Sequence, residues 1–168
     1  MNSVLPETEA PFRLRAVTAL GFFLVIQLVG TFLRFLPLNH LPVNYTFVLY
    51  GHTHASISGW IGASVYLCLQ FLLPPPVRSR KVFTWIWWLS QLGVVGMLLS
   101  FPFQGYKAVS IAFSTLVILM SYAYAVLILR HGRQHQDLGW SCIRWSLLFM
   151  FLSSFGPWSL GPMMVRFP

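Results

Sequence analysis

The stretch AVTALGFFLVIQLVGTFLRFL, residues 16–36, decides the fold class. It runs for more than 20 residues with a single charge, Arg34, near its far end. About 20 consecutive apolar residues are what a helix needs to cross the hydrocarbon core of a bilayer. Four more runs follow: Tyr45–Leu73, Val82–Phe101, Ala108–Leu129 and Trp140–Val165. Proline closes the first three, as Pro37, Pro74-Pro75-Pro76 and Pro102, while Pro157 and Pro162 fall inside the fifth. Proline removes a backbone donor, so the fifth run is expected to be kinked or broken.

The composition agrees. The chain is 57% hydrophobic and 8% charged, against about a quarter charged in soluble domains. The expected architecture is all-α: a polytopic transmembrane helical bundle with five spans. Residues 1–15 form a leader and 16–168 a single transmembrane domain. The first run is too long for a signal peptide, its leader carries Glu7 and Glu9, and no small-x-small cleavage site follows.

Charge sets the orientation. Arg13, Arg15, Arg78, Arg80, Lys81, Arg130, Arg133 and Arg144 fall on one side of the membrane, and only Arg34, Lys107 and Arg166 on the other. The positive-inside rule then places the N-terminus in the cytoplasm and the C-terminus outside, in an inner (cytoplasmic) membrane. The +8 net charge is thereby accounted for in short loops, and the aromatic residues lie inside apolar runs. Nucleic acid is not an expected partner; the lipid bilayer is. Cys68 and Cys142 imply no disulfide framework. The Trp85, Trp87 and Trp88 cluster reads as an aromatic belt. No acidic residue lies in an apolar run, which removes the carboxylate-based transporters, and no P-loop or HExxH motif is present.

Chemistry concentrates in one place, Tyr50-Gly51-His52-Thr53-His54-Ala55-Ser56-Ile57-Ser58-Gly59-Trp60. Histidine inside a span is costly and marks function by default. At about 1.5 Å per residue the pair lies roughly 10–14 Å below the outer end of its helix. Positions i and i+2 are about 200° apart, so the two cannot chelate one metal and must face different neighbours. On a regular α-helix His52 continues into Ser56, Gly59 and Ala63, and His54 into Ser58 and Gly62. Small stripes admit a close helix, with each histidine hydrogen-bonded across it, or a flat ligand such as haem held by one imidazole. Copper held by His52, His54 and the outer Met163 and Met164 is a third reading. Gln91 is placed to bond across to a neighbouring helix. His40, His131 and His135 read as loop residues, and Arg34 as snorkelling outward.

The segment His52–Trp60 resembles the histidine-bearing helix of subunit-I-like proteins of the haem–copper oxidase superfamily. Leu98-Leu99-Ser100-Phe101-Pro102-Phe103-Gln104-Gly105 and Leu152-Ser153-Ser154-Phe155-Gly156-Pro157 also look like stretches of such proteins. The resemblance spans roughly residues 17–165. It implies a second helix running from outside to inside with a low-spin haem ligand near its outer end. Carried over by position, His52 or His54 is the axial ligand, with His54 favoured because it is deeper and shares a face with Ser58 and Gly62. Gly59 and Gly62 make room for the macrocycle, and Arg34 meets its propionates.

The chain also departs from the family. It has fewer helices, and none of its other four apolar runs contains a histidine. It is expected to be a truncated relative, a split subunit or a protein that keeps only a haem site, working in electron transfer or sensing rather than complete oxygen reduction. Further ligands would come from Met163, Met164, other membrane subunits or a second copy.

The charge asymmetry is testable. With Cys68 and Cys142 replaced by serine, Asn39→Cys is expected to react with an impermeant thiol reagent applied to intact cells, and Ser79→Cys to stay protected. Outside labelling of Ser79→Cys contradicts the orientation.

Overall fold

A computed structural model describes residues 6–38, 41–132 and 137–156. The regular structure among them is entirely helical: α1 Pro6–Phe35, α2 Tyr45–His54, α3 Ala63–Leu72, α4 Arg80–Gln104, α5 Ala108–His131 and α6 Leu138–Ser153. A π-helical stretch, Ala55–Gly62, joins α2 to α3, so that Tyr45–Leu72 forms one rod of 28 residues. Four helical spans are long and apolar enough to cross a bilayer. The fifth, α6, is apolar but has 16 residues. Pro157, Pro162, Met163, Met164 and Arg166 lie outside the described residues, as do Asn39, His40, Arg133 and His135. The chain is a multi-pass helical membrane protein, with outward-facing Leu20, Leu24 and Leu28 of α1 exposed to lipid.

Three element boundaries differ from the sequence expectation. The first helix begins at Pro6, ten residues before the apolar run. Proline suits a first helical position because its missing N–H would be unpaired there anyway. Helix α4 does not stop at Pro102 but runs to Gln104. A proline near a C-terminus forfeits only its own bond, here to the Leu98 carbonyl. Gly51 of α2 packs there: a Cβ at Gly51 would lie 3.5 Å from Pro102 Cδ and 3.7 Å from that carbonyl oxygen. Gly105 ends α4 at φ +60°, and a Cβ on it would stand 2.6 Å from the Phe47 ring, so both backbone angle and space require glycine. The third difference is the π-helical stretch.

Two compact units divide the chain, Met1–Val117 and Ile118–Pro168. In the first, α1, the long rod and α4 enclose Phe22, Ile26, Ala55, Val94, Met97 and Phe101. The start of α5 packs on α4 through glycine: a Cβ at Gly93 would meet Val117 at 2.5 Å, and one at Gly96 would meet the Phe113 ring at 2.4 Å. In the second unit the Tyr122 ring stacks on Phe151 at 4.6 Å, and the Tyr122 hydroxyl is hydrogen-bonded to Ser154. The six-membered ring of Trp140 occupies the space that a Cβ at Gly132 would need.

Lipid tails are as apolar as leucine, so helices in a bilayer associate by close packing rather than by hydrophobic exclusion. Gly93→Ala is therefore expected to lower stability by about 1–3 kcal/mol through overpacking. Gly21→Ala, where a Cβ meets nothing within 4 Å, should be neutral or stabilising. Thermal unfolding of the purified variants in detergent checks the contrast; equal melting temperatures contradict it.

Candidate functional site

The buried face of the long rod is Gly51, Ala55, Gly59, Ala63 and Leu67, a strict spacing of four. On an α-helix of 3.6 residues per turn such a stripe drifts by about 40° at each step. The π-helix closes i→i+5 bonds and holds more residues per turn, so eight π-helical residues absorb the drift and keep the stripe facing inward. Small side chains permit the wider turn, and local bonds support it. Ser56 Oγ donates to the His52 carbonyl at 2.7 Å, and the Ala55 N–H reaches both the Gly51 and His52 carbonyls. The sequence reading assumed a regular helix and therefore drew two stripes below the histidines where the structure has one stripe between them.

At about 100° per residue, His52 and His54 lie roughly 80° to either side of the Gly51–Ala55 line. They face different elements, as their spacing predicts. His54 turns toward α4. Its ring stacks on Phe101, with centroids 4.8 Å apart and planes 5° from parallel. Its Nε2 lies 2.7 Å from the Tyr106 hydroxyl. Tyr106 belongs to the turn between α4 and α5, where burial, and then the neighbouring Tyr50, raise its phenol above the ordinary value. The phenol thus stays protonated at neutral pH and available for this bond. His54 is a cross-link between α2 and the end of α4.

His52 turns toward α1, where Gly30 faces its ring. A Cβ at Gly30 would lie 3.0 Å from His52 Cε1 and 3.6 Å from Nε2, so a side chain at this position would press on the ring. His52 Nδ1 is buried and has no hydrogen-bond partner. A buried polar atom without a partner is uncommon and calls for a physical reason.

The remaining site residues separate. Gly59 is wedged between helices: its Cβ would meet Val94 at 2.8 Å and Phe22 at 3.1 Å. A Cβ at Gly62 would touch only the Ile57 carbonyl of its own rod. Ser58 is half-buried. Arg34 is exposed and lies one turn beyond Gly30, toward the C-terminal end, on the same face of α1. Gln91 is buried as expected, but its Oε1 has no partner. Of the three tryptophans, Trp85 and Trp88 are exposed while Trp87 is fully buried, so Trp87 belongs to the core and not to a belt. Among the described residues no three of His, Cys, Asp and Glu come together to hold a metal. A groove of about 570 Å³ opens near the C-terminal ends of α1 and α4 and the start of α2, between Val29, Phe32, Asn44, Phe47, Leu98 and Phe103; neither histidine lines it.

The fold and this pair of histidines define a helical membrane protein with one intramembrane imidazole committed to packing and one not. No family model matches the chain, and no solved structure matches it. It is similar to cytochrome c oxidase subunit 1 of Rhodobacter capsulatus, 30% identical over 84 residues. That match covers 47% of this chain and 16% of the relative's length.

Tyr106→Phe removes the hydroxyl and leaves His54 without its partner. Loss of about 0.6 kcal/mol of stability is expected, the average for a hydrogen bond between membrane helices. The loss should vanish in a His54→Ala background, since the two side chains act as a pair. Unfolding titrations of the single and double variants read the coupling; simple additivity contradicts the bond.

Proposed function

We propose that this chain is a haem-binding subunit of the inner (cytoplasmic) membrane, related to respiratory oxidase subunit 1 and working in electron transfer or sensing. The observation that carries the reading is His52: an intramembrane imidazole with a buried, unpartnered nitrogen, set in a notch that a side chain at position 30 would fill. A neutral imidazole is the proximal ligand in many haem proteins, so the donor fits the group. His52 would hold it, and His54 would fix the rod against α4. Partial similarity to an oxidase subunit 1 supports the same class.

Bound haem supplies a one-electron couple. The chain's own residues do the rest. The Gly30 notch orients the His52 ring, and the lipid-facing apolar helices exclude water. Arg34, one turn beyond Gly30, offers a guanidinium suited to paired bonds with a carboxylate. A second ligand would come from another membrane subunit or a second copy of this chain.

A specific observation favours a second reading, a non-catalytic membrane scaffold whose histidines only join helices: the His54–Tyr106 bond and its stacking on Phe101. Copper handling would need donors beyond His52 and His54.

The protein purified from cells supplied with ample haem is expected to show a Soret band. His52→Ala should abolish it, while His54→Ala should retain most of it. Arg34→Leu should shift the reduction potential. Loss of haem in His54→Ala alone exchanges the two roles, and absence of the band in the wild type leaves the scaffold reading in its place.

A further inference from the structure

The opposite end of the first unit holds a second polar cluster, on α1, α3 and α4. Arg15 Nη1 donates to Gln70 Oε1 at 2.7 Å, and Arg15 Nη2 donates to Thr84 Oγ1 at 2.6 Å. The guanidinium carbon lies 6.0 Å from the centre of the Trp87 ring, within reach of a cation–π contact. The Thr84 hydroxyl proton is already spent on the Arg80 carbonyl. Two donors are left over. Gln70 is 7% exposed and Trp87 is 0% exposed, and neither Gln70 Nε2 nor Trp87 Nε1 has a partner.

The imbalance has one sign. Arg15 takes the acceptors that Gln70 and Thr84 offer, and the surplus consists of N–H groups beside a positive charge. The missing group is therefore rich in acceptor oxygens and negatively charged. An amide flip at Gln70 would not help, because it would turn an N–H₂ toward the guanidinium.

Depth identifies the source. Arg15 is where the apolar run of α1 begins, Gln70 is two residues from the end of α3, and Thr84 is in the second turn of α4. All three lie within about two turns of the same end of their spans. Arg13, Arg78, Arg80 and Lys81 are exposed at the same end, and basic clusters of this kind at the ends of spans attract acidic lipids.

We propose that Arg15 and Gln70 form a binding site for a phosphate group, presented by the headgroup of an acidic phospholipid, with the Trp87 ring 6.0 Å from the guanidinium carbon. The phosphodiester accepts from Gln70 Nε2 and shares the Arg15 charge. The site is separate from His52 and does not depend on haem.

The test uses the full chain with phosphatidylglycerol or phosphatidylcholine at equal mole fraction, and native mass spectrometry of the lipid retained. The wild type is expected to retain phosphatidylglycerol about tenfold better: both lipids carry the phosphodiester, but in phosphatidylcholine the choline cation offsets the phosphate charge and is repelled by Arg15. Gln70→Glu keeps an oxygen for Arg15 but replaces the spare donor by a second oxygen. It should fall to the phosphatidylcholine level while circular dichroism shows the helices intact. If Gln70→Glu does not fold, thermal unfolding of the wild type decides: phosphatidylglycerol must raise the melting temperature above that in phosphatidylcholine. Displacement of the lipid by millimolar inorganic phosphate would overturn the lipid as the source, in favour of a soluble oxyanion. Equal retention of both lipids by the wild type, or unchanged selectivity in Gln70→Glu, overturns the site.

Discussion

Helices in a bilayer have no water to escape from, so their association rests on how closely their backbones approach. In the first unit that approach is made by a four-residue stripe, Gly51, Ala55, Gly59 and Ala63, held in line by the π-helical stretch Ala55–Gly62. Phe22 of α1 and Val94 of α4 close on Gly59 from two directions. A larger residue there would force both helices away from the rod. The placement of the two histidines follows from this packing, because they flank the stripe and inherit the neighbours on either side of it.

The consequence is a division of labour between residues two positions apart. His54 meets the rings of Phe101 and Tyr106 and is bonded to the hydroxyl of Tyr106, whose ring in turn packs on Tyr50. His52 meets a glycine and keeps a nitrogen without a partner. Glycine at position 30 contributes no side chain to satisfy that nitrogen, and lipid cannot. The same molecule shows the inverse arrangement at its basic end, where donors beside Arg15 lack an acceptor. Both are places where a polar group has been brought into an apolar setting and left unbalanced.

Much of this was legible in the sequence. The apolar runs located the long helices, and the two-residue spacing of the histidines required different neighbours. What the sequence did not reveal has physical causes. A π-helix is invisible to a reading that assumes 3.6 residues per turn, although the strict spacing of Gly51, Ala55, Gly59 and Ala63 was its available signal. Pro102 reads as a terminator, yet near a helix end it removes one bond only. Tyr106 carries no local signal of its role, because its partner His54 is 52 residues away in the sequence. Arg15 counted only as a charge for orientation; its contacts with Gln70 and Thr84 depend on the packing of three helices. Trp87 shares composition with Trp85 and Trp88 but not their face.

Central to the account is the inequality of the two imidazoles. Side-chain nitrogen NMR of protein carrying isotopically labelled histidine measures it directly, with single alanine variants to assign the signals. The account predicts that Tyr106→Phe moves the His54 nitrogen resonance and leaves that of His52 unchanged, while added haem perturbs His52 first. A His54 signal indifferent to Tyr106→Phe, together with a His52 signal indifferent to haem, would contradict it.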